Sequence, residues 1–148
     1  MIRSTFVVLL SFLATIEICS AQTQRKIPVE VKHSGKDSLG QRYAFEVKEA
    51  IRASQGMRLV TESDPGARIV AKLVTLETNE DRPGNSTTIS ITYVFDSDWV
   101  PLAGYHITSS VEFCGSLKIS ECVRSTLADV DRAISTVRTR APNLWKQL

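Results

Sequence analysis

The chain has 148 residues, 43% of them hydrophobic and 23% charged, with 18 Lys and Arg against 16 Asp and Glu for a net charge of +2. That is the composition of one globular domain rather than two. The near-neutral balance, without a basic stripe, argues against a dedicated nucleic-acid binder.

The opening MIRSTFVVLLSFLATIEICSAQ places Arg3 before an apolar run and ends the run in a small-x-small pattern at Ala21. This is the three-part form of a secretory signal, too short to span a bilayer permanently. We therefore expect a signal peptide over residues 1–21 and a single α+β domain over 22–148, in the periplasm or secreted. Lipidation at Cys19 is disfavoured because Ile18 precedes it, where lipoprotein signals carry a small residue.

KIPVEVKH alternates Ile27, Val29, Val31 and His33 against Lys26, Glu30 and Lys32, which predicts a half-buried strand. Pro28 cannot donate to a ladder, so the strand is expected at an edge or paired on one side only. A helix is predicted from Leu39 to Gln55, opened by a capping box of Ser38 and Gln41, striped by Tyr43, Val47, Ala50 and Ile51, and stopped by Gly56. MRLV reads as a short extended piece and SDPGA as a turn.

Three strands follow. RIVAKLVTLE is almost continuously apolar and is placed centrally. TTISITYVF alternates Ile89, Ile91, Tyr93 and Phe95 against Thr88, Ser90 and Thr92, and YHITSSVEF alternates Tyr105, Ile107, Val111 and Phe113 against His106, Thr108, Ser110 and Glu112. A last helix is expected from Ser120 to about Arg140, with Val123, Leu127, Val130, Ile134 and Val137 on one stripe and Pro142 at its end.

The stretch Ala50–Glu77 reads as helix, glycine, short strand, acidic-proline turn and strand. In that order it resembles the small α+β modules of bacterial envelope proteins, such as the N-terminal domain of the TolB translocation protein. The resemblance implies periplasmic protein–protein contact and carries over no functional residue.

The expected architecture is a two-layer α+β sandwich in β-α-β-β-β-α order, a mostly antiparallel sheet of four to five strands with two helices on one face. The other face is then open, lined by Thr88, Ser90, Thr92, His106, Thr108, Ser110 and Glu112. Cys114 and Cys122 are the two cysteines beyond the signal. Their spacing is neither a redox C-x-x-C nor that of a zinc site, so they are expected to form a disulfide pinning the last helix to the sheet.

Motifs with strong chemistry are missing: there is no G-x-S-x-G, H-E-x-x-H or phosphate loop. No catalytic residue, metal site or cofactor is assigned. His33 lies near Ser34 and Asp37, whereas His106 and Glu112 stand roughly 20 Å apart along an extended strand. Asp96 and Asp98 lack the further oxygen ligands of a calcium loop. Asn85 begins an N-S-T sequon, which is meaningful only in a eukaryotic host. The connection DWVPLAGY is apolar where a loop should be polar, making Trp99, Val100 and Leu102 candidate partner contacts, and Trp145 raises the same question.

The expected function is that of a small exported binding or accessory protein acting on an envelope or secreted protein, with no nucleic acid involved. A small hydrolase using His33 or His106, or a polar-ligand or glycan binder on the open face, is the alternative.

Overall fold

The computed structural model describes residues 25–79, 81–98 and 104–148. The expected signal at 1–21, Cys19 and the hairpin residues Trp99, Val100 and Leu102 lie outside these. The fold is α+β: a five-stranded open mixed sheet with the helices packed on one side. Strand β1 (Ile27–Ser34) leads through helix α1 (Ser38–Ala53) to β2 (Met57–Val60), followed by β3 (Arg68–Glu77), β4 (Ser86–Asp96), β5 (Tyr105–Gly115), a 3-10 turn (Ser116–Lys118), α2 (Ile119–Arg140) and a short α3 (Pro142–Trp145). The strand order is β2-β1-β3-β4-β5. β1 runs parallel to both its neighbours, whereas β3, β4 and β5 form an antiparallel meander.

β1 is thus an interior strand. Pro28 is accommodated because it pairs with Arg58 on β2 alone, the β3 ladder beginning only at Val29 opposite Ile69. One-sided pairing holds at the proline, but not for the strand.

The core is the sandwich of the helices against Val29, Ile69, Ala71, Leu73, Ile89, Ile91, Tyr93 and Phe95, with Tyr43, Val47 and Ile51 from α1 and Val130, Ala133 and Val137 from α2. Trp145 packs against the edge of this core, with the Arg138 guanidinium 4.4 Å from its ring centroid. No helix among the described residues is long and apolar enough to cross a membrane.

Three helix ends differ from expectation. The cap of α1 is Asp37 and not Ser38: its carboxylate accepts from the Gly40 amide at 2.5 Å and from the Thr75 hydroxyl at 2.6 Å. A side chain so placed satisfies a free helix N–H and ties the helix to β3 at once. At the other end, Ser54 turns extended and its hydroxyl accepts from the Gly56 and Met57 amides, so Gly56 is not needed in a left-handed conformation. Helix α2 begins at Ile119, out of the 3-10 turn, with no side-chain cap.

Cys114 and Cys122 are joined by a disulfide, their Cα atoms 6.1 Å apart. It ties the end of β5 to the first turn of α2. Such a bond fits an oxidising compartment.

Candidate binding surface

The sheet has one face beneath the helices and one facing away, and the ladder register places each residue. Across β3, β4 and β5 the outward rows are Leu76–Thr88–Phe113, Val74–Ser90–Val111 and Lys72–Thr92–Ser109. Thr88, Ser90, Thr92 and His106 therefore lie on the open face, as expected.

Thr108, Ser110 and Glu112 do not. They pair with Tyr93, Ile91 and Ile89 and so share the helix-covered face. The cause is a β-bulge: Tyr93 faces Thr108 and Val94 faces His106, which leaves Ile107 as an extra residue. One inserted residue reverses the facing of everything beyond it. His106, before the bulge, keeps its expected side; the three polar residues after it lose theirs, and Val111 and Phe113 take the open side.

The outward face divides into two halves. At one end lie Val74, Leu76, Val111 and Phe113, exposed by 54%, 72%, 71% and 63%. By register they flank Thr88 and Ser90 as one contiguous patch. Single exposed apolar side chains are ordinary; two exposed pairs on one sheet face, separated by Thr88 and Ser90 alone, are not. At the other end the connection 61–67, running from β2 to β3, crosses β1 on this same side. Arg68 donates to the Asp64 carbonyl at 2.7 Å, and Lys32 lies 3.1 Å from Glu62. Beneath it Glu30 and Arg68 are each 5% exposed and 3.1 Å apart, close as charges but not aligned as a hydrogen bond. Asp96 completes the cluster 3.2 Å from Arg68, while Asp98 accepts from the Gly66 amide. The two aspartates are thus spent on Arg68 and the neighbouring turn.

The polar side chains under the helices are gathered into hydrogen-bonded clusters, one of which borders an open groove lined by Lys36, Asp37, Thr75, Leu76 and Glu77. His33 Nε2 lies 2.9 Å from the Thr75 hydroxyl, which itself donates to Asp37. The hydroxyl stands between imidazole and carboxylate, the reverse of a nucleophile–base–orienter sequence, so the imidazole does not activate it. Thr75 is 4% exposed, and a Cβ at either Gly35 or Gly40 would overlap its hydroxyl oxygen. This cluster is a latch among β1, β3 and α1. Burial lowers the His33 pKa, with Asp37 opposing and Lys48 reinforcing the shift. For Asp37, burial raises the pKa but is outweighed by hydrogen bonds from Thr75, Gly40 and Thr87, and the net shift is downward.

Glu112 belongs to a second buried network. Its carboxylate accepts from Tyr43 at 3.1 Å and from Thr126 at 3.0 Å, and Tyr43 and Thr126 also contact each other. Burial holds the phenols of Tyr43 and Tyr93 protonated far above the usual tyrosine range. On the open face, His106 lies 2.9 Å from the Ser109 hydroxyl, which in turn contacts Thr92.

The exposed pair Val111 and Phe113 was thus missed as a surface feature. The disulfide carried the signal: Cys114 must face α2, and residues of its parity beyond the bulge must face that way too.

No protein-family model matches the chain, and no curated protein matches it. Among solved structures, the hypothetical protein CT253 from Chlamydia trachomatis is similar at 10% identity and a TM-score of 0.49, over 74% of this chain and 98% of that one.

Proposed function

We propose that the chain is an exported, periplasmic, non-enzymatic accessory protein that acts through protein–protein contact, with the apolar half of the open sheet face as its working surface. The observation that carries this reading is the contiguous exposure of Val74, Leu76, Val111 and Phe113. A stapled domain with a signal-like leader supports export, and the Thr75 hydroxyl, which donates to Asp37 rather than to His33, speaks against the hydrolase alternative. The apolar interleaving of Thr88 and Ser90 suits a polypeptide better than a glycan.

The test is site-specific photo-cross-linking in the native host. A photoreactive residue at Leu76 or Phe113 should yield a discrete adduct with another protein, whereas one at exposed Arg124 on α2 should not. Leu76→Lys with Phe113→Lys should abolish an adduct read from Val74 while leaving the unfolding curve of the domain unchanged. An adduct equally strong from Arg124, or one indifferent to the double substitution, would refute the reading.

A further inference from the structure

We propose that β5 pairs with β5 of a second copy of this chain, in antiparallel register about a two-fold axis at Val111. β5 ends the sheet, and no described residue ladders onto its outer side. Its outward backbone N–H and C=O groups are therefore a template for another strand. The two edges of the sheet contrast. β2 is 4 residues long and carries Arg58, whereas β5 is 11 residues long and holds neither lysine nor proline. Its single bulge falls near its start, leaving Thr108–Gly115 regular. Its guards are that bulge and the inward-pointing Glu112, and a long edge without lysine or proline along its regular stretch is what monomeric proteins avoid.

Self-pairing fixes its own register. Residues facing each other in an antiparallel ladder share a sheet face, so a two-fold axis must pass through one residue position and not between two. An axis at Glu112 would set two carboxylates directly opposite, which is unfavourable. An axis at Ser110 would set Val111 against Ser109 and bring the bulged Ile107 into the ladder opposite Phe113. An axis at Val111 sets valine against valine on the open face and uses only the regular stretch, from Thr108 opposite Cys114 inward.

That register also resolves an anomaly. The Ser110 hydroxyl oxygen is buried without a hydrogen-bond partner among the described residues. About an axis at Val111, Ser110 of each copy lies directly opposite Glu112 of the other, on the helix side of the sheet. Within its own chain Glu112 accepts through Oε1 from Tyr43 and Thr126. Its carboxylate keeps acceptor capacity for the facing serine hydroxyl. The arrangement joins two five-stranded sheets into one and sets the two apolar patches side by side on a common face.

The pairing does not depend on the accessory-protein reading, and the readouts differ. Sedimentation equilibrium of the full chain as purified, without reductant, should show a monomer–dimer equilibrium below about 100 µM. Val111→Cys should form an intermolecular disulfide between the introduced thiols. Facing residues in an antiparallel ladder have Cα atoms about 4.5–5.5 Å apart, inside the roughly 4.4–6.8 Å a disulfide spans. Ser90→Cys, on the same face but one strand inward, should not cross-link. Val111→Lys should raise the dimer dissociation constant by about tenfold or more with an unchanged circular dichroism spectrum. A monomer throughout the concentration range overturns the proposal. So does a dimer that neither cross-links through Val111→Cys nor weakens with Val111→Lys.

Discussion

The Tyr43 hydroxyl on α1 donates to the Glu112 carboxylate on β5 at 3.1 Å, bridging 69 residues of sequence across the helix-covered face. Thr126 of α2 joins the same carboxylate, so one acidic side chain on the last strand holds both major helices. Tyr43→Phe should therefore destabilise the domain by about 1–3 kcal/mol, the range for a buried hydrogen bond to a charged group. A urea unfolding curve measures it. A change of under about 0.5 kcal/mol, typical of a surface site, would count against the network.

The staple between Cys114 and Cys122 closes a short loop. In the chain-entropy treatment this contributes about 2.5 kcal/mol, so replacing both cysteines with alanine should cost roughly 2–3 kcal/mol. Non-reducing peptide mapping of the protein purified from its native host should recover the two cysteines joined, and the same spectra should show a chain that begins at Gln22. Freely alkylated thiols or an intact Met1 would contradict, respectively, the bond and the leader.

Stability should fall in two steps on acidification. The folded pKa of His33 is depressed by burial, so the unfolded chain takes up a proton first as pH drops through the ordinary histidine range near about 6.5. The stability present above that range is lost as pH falls toward the folded value. Asp37, also depressed when folded, adds a second loss beginning near the ordinary aspartate value of about 3.9. Urea midpoints taken from pH 7 downward should show both. His33→Gln should flatten the upper step alone, and Asp37→Asn the lower. An upper step unaltered by His33→Gln would assign it elsewhere.

What was legible in the sequence was whatever obeyed a single period. β3 and β4 declare their buried residues through unbroken apolar runs or strict alternation, and the stripe of α2 survives as Val123, Val130, Ile134 and Val137. The fold class follows from these and from the element order. β5 misled because its alternation is clear but a bulge at Ile107 exchanges the two faces part-way, turning Val111 and Phe113 outward. Edge strands are where bulges concentrate, so alternation is least dependable there. The cap of α1 was misplaced by one residue for a tertiary reason. Asp37 is chosen over Ser38 by the Thr75 hydroxyl, which lies 38 positions away in the chain. The β1 placement failed similarly: a proline forbids pairing at one residue and says little about the six that follow it in the strand.

The interior position of β1 has a consequence in time. Both of its neighbours, β2 and β3, lie after it in the chain, and the connection 61–67 must pass over it to reach its far side. The first of the described strands can thus pair with β2 once Val60 has followed, but its slot is complete only when β3 ends at Glu77. The β3–β4–β5 meander, by contrast, is assembled from sequence-adjacent pieces, which close quickly. A nascent chain therefore carries β1 with one of its two sides unpaired until half of the protein has appeared. That is a built-in delay in closing the sheet around β1.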